Sequence, residues 1–391
     1  TRVNKEGLIE VVTNDRPRID YTDTSNGVLL LEKAATNLIE YSEDFSNAYW
    51  TKTNASVVAG FSAPDGSLNA YKLVEGTSNS IHIINRVLTV ENAKEYTESI
   101  FVKSAERTKF GLRDGFSNKW ITINLSNGSA IDSNGLISSE ITKLANDWYR
   151  ISITFLTAST SATLKAYTLP DSYTSGTPET YSYQGDGSSG VYIYGGQLEK
   201  SPVASSYIPS QGSASTRVAE TASGSGNSEV FNDSEGVLFT NIAALEDSTS
   251  QRWISVGSGG NANRVSILFN STSRINCSVR GSSAAIYDAF ANIGSQTRVS
   301  KAAVKYKNSD FAFFVNGFKV DSQQSGSVSF NAPLSELAFD SADGGSDFYG
   351  KTKEIGYYDT ILTDLELETL TSYKSWTSMV NELNLNIIYN G

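Results

Sequence analysis

The strongest constraint on the fold is a period-two alternation of apolar and polar residues that recurs along the chain. Ile151, Ile153 and Phe155 share one face of such a run, and residues 265–269 and 275–279 repeat the pattern. Successive side chains of a β-strand point to opposite faces of a sheet, so each run predicts a strand with one buried face.

Turn signals separate these runs at short intervals. Asn-Gly and Asp-Gly pairs supply the positive φ angles that tight hairpin turns require. They occur at Asp65-Gly66, Asp114-Gly115, Asn127-Gly128, Asn134-Gly135, Asp186-Gly187 and Asn316-Gly317. Short strands punctuated in this way predict an all-β chain of two consecutive antiparallel β-sandwiches, because 391 residues suit two domains better than one.

Composition and charge exclude several function classes. The net charge of −11 disfavours nucleic-acid binding, and no apolar run approaches the roughly 20 residues of a membrane-spanning helix. With one cysteine and one histidine, the chain forms no internal disulfide and no Cys–His zinc site. We interpret Cys277 as a small core residue, and a nucleophile–histidine hydrolase would depend wholly on His82, which has no evident orienting carboxylate.

Composition breaks divide the chain into segments. A Ser/Gly/Ala-rich stretch that follows Pro209 is typical of a linker, and the segment before residue 36 holds two short apolar runs around Pro17. We expect the lead-in to pair with the first sandwich or with a neighbouring subunit, and the chain to be the distal part of a longer protein. The predicted segments are an extended lead-in (1–36), a jelly roll (37–209), a linker (210–228), a second sandwich (229–376) and a C-terminal tail (377–391).

One helix is predicted near the C-terminus. Thr363 to Glu366 form a capping box, in which the threonine hydroxyl and the glutamate carboxylate each bind a backbone N–H of the other residue. The helix should run to about Lys374, with Leu367, Leu370 and Tyr373 packing on a sheet.

The first half of the chain resembles carbohydrate-binding-module-like jelly rolls that recur in tailed-bacteriophage structural proteins. The resemblance rests on TNLIEYSEDF (36–45) with Trp50, DWYRISI (147–153) and VYIYGGQLE (191–199). SYIPS (206–210) followed by TRV (216–218) resembles the junction of phage fibre and spike proteins, and the lead-in fits the same proteins.

The second half is similar to laminin-G-like, concanavalin-A-like sandwiches. The motifs are FAFFVNG (311–317), FYGKTKEIGYYD (348–359) and the capped helix after them. Together the two resemblances imply a virion-surface protein of the fibre, spike or decoration type, which is commonly trimeric and contacts other virion proteins.

Candidate ligand contacts are aromatic, because sugar rings stack on flat side chains. Trp120 should project with Thr122 and Asn124 from the polar face of its strand, either toward a ligand or into an interdomain or intersubunit contact. Tyr167, Tyr173, Tyr181 and Tyr183 lie in or beside a Gly/Ser/Pro-rich loop, where tyrosines suit polar recognition. Trp50 and Trp148 are interpreted as core residues.

A structural calcium ion is the only cofactor that the sequence suggests. Asp340, Asp343 and Asp347 surround Gly344-Gly345, and Glu43-Asp44 is a second acidic site. Calcium prefers several oxygen ligands around a bent backbone, but neither segment has a strict ligand spacing, so solvated turns are the default interpretation of both.

No catalytic residues are predicted. Asp364, Glu366 and Glu368 scatter around the predicted helix instead of flanking one bond. With no catalytic set, the two resemblances imply a host-surface adhesin that binds a glycan or protein as the expected function. The alternatives are a purely architectural capsid or tail protein and, third, a polysaccharide depolymerase.

Overall fold

The computed structural model describes residues 1–282, 284–375 and 377–378, which form two compact units. The first unit contains Thr1–Gly27 and Ala34–Val218, and the second contains Val28–Lys33 and the described residues from Ala219 onward. The change of unit at Val218 lies within the predicted linker. Val28–Lys33 belong to the second unit, whereas the prediction treated residues 1–36 as one undivided lead-in.

The strands, numbered in chain order, are short and antiparallel. Those of the first unit are β1 (Arg2–Val3), β2 (Ile9–Glu10), β3 (Ile19–Asp20), β5 (Ala35–Asn37), β6 (Thr51–Thr53), β7 (Ala55–Phe61), β8 (Ala70–Glu75), β9 (Asn79–Ser80), β10 (His82–Thr89), β11 (Glu95–Ser104), β12 (Lys109–Asp114), β13 (Lys119–Asn124), β14 (Ser129–Asn134), β15 (Ser138–Lys143), β16 (Tyr149–Leu156), β17 (Ser161–Leu169), β18 (Tyr183–Gln184), β19 (Gly190–Glu199) and β20 (Ser215–Arg217). Two 3-10 turns cover Ala145–Asp147 and Pro178–Thr180. Those of the second unit are β4 (Val28–Leu31), β21 (Glu235–Ala244), β22 (Arg252–Gly257), β23 (Arg264–Phe269), β24 (Arg274–Gly281), β25 (Ala284–Asn292), β26 (Ser300–Lys307), β27 (Phe311–Val315), β28 (Phe318–Gln323), β29 (Glu336–Ala338) and β30 (Gly350–Tyr358), with helix α1 (Asp364–Thr371).

Two six-stranded sheets form the sandwich of the first unit. Sheet A has the order β14-β13-β12-β17-β10-β6, and sheet B has the order β15-β16-β11-β19-β8-β7. Alternate residues of both sheets meet in one core, which includes Phe110 and Leu164 from sheet A and Ile151, Ile153 and Phe155 from sheet B. The predicted alternation is thus confirmed at 151–155.

The second unit is a sandwich of the same class. Its larger sheet, sheet C, contains β28-β27-β26-β21-β30-β4, and the five strands of sheet D follow the order β25-β24-β23-β22-β29. Both predicted runs at 265–269 and 275–279 supply the core, and Cys277 is 1% exposed within it. The interpretation of Cys277 as a core residue is confirmed.

The C-terminal helix confirms its predicted start and corrects its end. Both hydrogen bonds of the capping box at Thr363 are present, and Leu367 is fully buried against the outer face of sheet C. The helix ends at Thr371 rather than Lys374. There the hydroxyl of Thr371 donates to Leu367 O at 2.8 Å and that of Ser372 to Glu368 O at 2.5 Å, competing with the backbone for these carbonyls.

Asn316-Gly317 forms the tight hairpin turn that its sequence predicts. Both residues have positive φ (50° and 85°), and they join β27 to β28 directly through the pair Val315 and Phe318. Asp114-Gly115 behaves differently, because a four-residue loop separates the paired residues Asp114 and Lys119. No helix in the described part of the chain is long and apolar enough to cross a membrane.

Candidate functional site

The outer face of sheet A, which points away from the core, carries a polar row. Cross-strand pairing places Trp120 opposite Arg113, Arg113 opposite Lys165, and Lys165 opposite Asn85. Directly paired residues point to the same side of a sheet. Since Leu112 and Leu164, the neighbours of Arg113 and Lys165 in sequence, face the core, the row faces outward.

The chain after β17 folds back over the adjoining part of this face. Tyr167, Tyr173 and Tyr181 meet there in one apolar cluster with Ile83 and Leu169. The rings of Tyr173 and Tyr181 lie edge to face, with centroids 4.9 Å apart. Gly111 lets this segment lie close to the sheet, because a Cβ at that position would lie 3.1 Å from Cβ of Pro178, a tight contact.

Glu179 connects this covering segment to the polar row. Its carboxylate accepts hydrogen bonds from Arg113 Nη1 at 2.7 Å, from Lys165 Nζ at 2.9 Å and from the hydroxyl of Tyr167. Partial burial opposes ionisation of Glu179, but the bonds from Tyr167 and Lys165 and the charge of Arg113 outweigh it and lower its pKa. The carboxylate is therefore ionised and fixed in position.

Trp120 projects from the outward face of its strand together with Thr122, as predicted, but this face is not exposed. Its side chain is 6% exposed, and its neighbour on the same face, Thr122, is fully buried. The face points outward but is covered. Tyr173 belongs to the covering segment, and its hydroxyl donates to Thr122 Oγ1 at 3.3 Å. Tyr167 and Tyr173 are 1% and 2% exposed for the same reason, so these three aromatic side chains support the surface instead of forming it.

Tyr181 and Tyr183 are half-buried, and Tyr183 binds the buried carboxylate of an ion pair. Arg107 binds the carboxylate of Glu75 through two hydrogen bonds of 2.9 and 2.5 Å, and the hydroxyl of Tyr183 donates to the same carboxylate at 2.8 Å. Burial opposes ionisation of Glu75, but the hydrogen bond from Arg107 and its other partners lower the pKa. A ligand contact by Tyr181 or Tyr183 stays a prediction.

Next to the covered region, the outer face of sheet A is accessible. Phe116, in the β12–β13 loop, is 47% exposed, and Val87 of β10 is 50% exposed. Val87 pairs with Thr163. The β12–β13 loop lies near the same residues, as shown by a Cβ built on Gly115, which would be 3.1 Å from Lys165 Cε and 3.4 Å from Thr163 Oγ1. We call this surface the outer-face patch; it consists of Asn85, Val87, Phe116, Lys165 and Glu179.

The outer-face patch combines an exposed ring with polar groups, of which Lys165 and Glu179 hold each other in place. Lys165 supplies an ammonium donor, Glu179 a carboxylate acceptor, and Asn85 an amide that can do either. Sequence reasoning did not select these residues. The alternation of Thr163, Lys165 and Tyr167 with buried Leu164 and Ala166 was the signal that Lys165 faces outward.

The three aspartates predicted to bind calcium do not converge. Asp340 accepts from Ala342 N at 2.6 Å, Asp343 from Asn261 Nδ2 at 2.5 Å, and Asp347 from the hydroxyl of Tyr349 at 2.8 Å. Burial raises the pKa of Asp340, and the nearby negative charges add to this shift.

No group of three or more His, Cys, Asp or Glu side chains in the described residues is placed to hold a metal ion. Glu43 and Asp44 also have separate partners: Glu43 accepts from Tyr194 at 2.9 Å, and Asp44 accepts from Ser46 Oγ at 2.5 Å. Calcium binding stays a prediction at both places.

The remaining titratable candidates have structural partners. Glu366 belongs to the capping box of α1, and His82 is fully buried with Nδ1 2.6 Å from Asn54 O and its ring against Tyr183. Trp50 and Trp148 are 2% and 1% exposed, which confirms that they are core residues. Trp253 is 7% exposed and lies below the guanidinium of Arg264.

Comparison with known proteins gives structural similarity without a sequence family. No family model and no curated protein sequence matches the chain. Among solved structures, the CBM40 of the Ruminococcus gnavus IT-sialidase aligns with 39% of this chain and 97% of its own at 16% identity and a TM-score of 0.33. Domains LG4-5 of the mouse laminin alpha1 chain align with 78% of this chain and 90% of their own at 14% identity and a TM-score of 0.27. The assignment to two antiparallel β-sandwiches rests on the strand pairings described above.

Proposed function

We propose that the chain is a non-enzymatic binding protein whose outer-face patch binds a glycan. The observation that carries the proposal is the exposed ring of Phe116 in the β12–β13 loop, which approaches Lys165 at Gly115, together with the polar side chains of the adjoining outer face of sheet A. A sugar presents an apolar ring face and a rim of hydroxyl groups, and this surface offers a partner for each.

Preorganisation supports the proposal. The carboxylate of Glu179 and the ammonium of Lys165 bind each other at 2.9 Å, and the hydroxyl of Tyr167 below them fixes the carboxylate. Groups already held in place lose little conformational freedom when a ligand arrives. Of the buried aromatic residues that the sequence predicted as contacts, Tyr167 therefore acts through Glu179.

Binding without bond cleavage fits the composition of the outer-face patch. Hydrolysis of a glycosidic bond requires two carboxyl groups, about 5 to 9.5 Å apart, on either side of the bond. The outer-face patch as defined holds one carboxylate, Glu179, and its pKa is lowered, which is the wrong direction for a general acid.

A glycan array with the full chain tests this proposal. Phe116→Ala should abolish the signal of at least one glycan that the native chain binds, because it removes the ring and leaves the sheet intact. Leu156→Ala is the matched control: Leu156 is 50% exposed, against 47% for Phe116, and belongs to sheet B. Equal signals for the two variants would refute the site, and no array signal from the native chain would favour the purely architectural alternative. New reducing ends after incubation with a bound polysaccharide would favour a depolymerase.

The finer proposal is a host-surface adhesin on a phage virion, as a fibre, spike or decoration subunit. The resemblance of the jelly-roll motifs and of the 206–218 junction to phage proteins supports it. Homotrimerisation would compensate for a weak single site through avidity. Light scattering of the full chain should return a trimer, and a monomer at all accessible concentrations would count against this assembly.

A further inference from the structure

The second unit contains a polar cleft that is separate from the outer-face patch. The cleft has a volume of about 550 Å³, which is within the usual range of ligand sites. It is lined by Lys33, Glu246, Ser248, Ser250, Gln251, Arg252, Ser346, Asp347 and Tyr349. The strand register explains its position, because Ala244, Gly350 and Leu31 pair in one row at the end of sheet C.

One wall of the cleft is fixed by two buried side chains. Arg252 is 5% exposed and donates from Nη1 to Glu246 O at 2.7 Å and to Gln296 Oε1 at 3.1 Å. Gln296, which is fully buried, also donates to Ser248 O at 3.2 Å. The 246–252 segment therefore holds its shape without a ligand.

Glu246 is incompletely satisfied in this wall. Its side chain is 10% exposed, and its Oε1 accepts from Lys33 and from Arg252 Nη2, the latter at 3.2 Å. Its Oε2 is enclosed and has no hydrogen-bond partner among the described residues. A buried carboxylate oxygen without a donor costs free energy, so the hydrogen bonds from Lys33 and Arg252 to Oε1 are what hold this carboxylate in the wall.

The opposite wall carries a second acceptor and a ring. The hydroxyl of Tyr349 donates to Asp347 Oδ2 at 2.8 Å. Burial raises the pKa of Tyr349 to about 12, and its bond to Asp347 adds to this shift, so the hydroxyl stays protonated at neutral pH. Trp253 N donates to Ser346 O at 3.1 Å and ties this wall to sheet D.

We infer that this cleft is a second binding site, which takes a neutral saccharide unit. The formal charges of Lys33 and Arg252 balance those of Glu246 and Asp347, so the lining selects neither an anion nor a cation. The carboxylate oxygens of the lining can accept hydrogen bonds from ligand hydroxyls. The serine hydroxyls and the Gln251 amide can donate to or accept from the remaining hydroxyls of the sugar. The half-buried ring of Tyr349 offers a face for stacking. This site does not depend on the outer-face patch, and together the two would make a single chain bivalent.

Saturation-transfer NMR on the full chain tests the inference, with D-galactose, D-glucose, D-mannose and N-acetyl-D-glucosamine as probes. At least one probe should bind the native chain and the Phe116→Ala variant equally, which separates this site from the outer-face patch. Asp347→Asn should weaken that binding about tenfold, equivalent to about 1.4 kcal/mol. Asp359→Asn, a charge-matched change at an exposed carboxylate of the same unit, should not alter it.

Three results would overturn the inference. The first is the absence of transfer to all four probes, and the second is equal binding by the Asp347→Asn and Asp359→Asn variants. The third is loss of binding in EDTA, which would make the cleft a metal site. Unchanged thermal unfolding of the Asp347→Asn variant, measured by circular dichroism, confirms that the loss is local.

Discussion

Glu98 gives the sharpest test of the physical reasoning, because it is a carboxyl group in the core of the first unit. It is fully buried, and both of its side-chain oxygens have no hydrogen-bond partner among the described residues. Burial raises the pKa of Glu98 well above the ordinary value of 4.5, and the negative charge of nearby Asp114 adds to the shift. The oxygens of Asp114 accept from Thr163 N at 2.6 Å and Ser117 N at 2.5 Å, which keeps that carboxylate in place.

The sign of the pH effect follows from this raised pKa. Between pH 4.5 and the folded-state pKa, the folded chain holds one proton at Glu98 that the unfolded chain has lost. The free energy of unfolding should therefore fall by about 1.4 kcal/mol per pH unit within this window. This contribution is fully present below pH 4.5 and is lost as the pH rises through the folded-state pKa.

Glu98→Gln should remove this dependence, because glutamine has nearly the same shape and does not titrate. Urea unfolding of the full chain, followed by tryptophan fluorescence between about pH 5 and pH 8, measures it. The free energy of unfolding of the variant should rise relative to the native chain by about 1.4 kcal/mol per pH unit. Any cost of burying the glutamine amide changes the free energy of unfolding of the variant by the same amount at every pH. Glu95→Gln, at an exposed position of the same strand, should follow the native chain. Parallel pH profiles for Glu98→Gln and the native chain would refute the reasoning.

Three further predictions concern stability. Leu367→Ala should lower the free energy of unfolding of the second unit by about 2 to 5 kcal/mol, because Leu367 is fully buried; a smaller loss in urea unfolding than that of exposed Leu365→Ala would contradict this packing. Trp120→Ala should cost about 3 to 5 kcal/mol in the first unit, and a variant with native stability would show that the ring is not buried as described. Gly317→Ala should lower the free energy of unfolding by about 1 kcal/mol or more, because Gly317 has a φ of 85°. Gly356 has no positive φ, so Gly356→Ala should be less affected by backbone strain. Calorimetry that ranks the two variants in the opposite order would contradict the turn assignment.

Local patterns predicted the fold class because its determinants are local. Alternation at 151–155 and the Asn316-Gly317 turn depend on neighbouring residues, and the structure realises both. The excursion of Val28–Lys33 was not predictable in this way. Leu31 pairs with Gly350, more than 300 positions later, and nothing in the segment itself indicates which sheet it joins.

Sequence patterning located the face that carries the candidate site but not the residues of the site. It placed Trp120 on the polar, outward face of its strand, which is where Trp120 lies, but it placed Tyr167 only in or beside a loop, whereas Tyr167 belongs to β17. It could not show that residues after β17 fold back over that face and leave Phe116 and Lys165 accessible. The cleft of the second unit depends on equally distant contacts, such as Lys33 with Glu246.

A crystal structure of the full chain with the saccharide that gives the strongest array signal tests the central claim most directly. We expect an intact sugar on the outer-face patch, with its ring within about 4 Å of Phe116 and its hydroxyls bound to Lys165 and Glu179. A saccharide bound only on the opposite sheet of that unit, or one with its glycosidic bond broken, would contradict the claim.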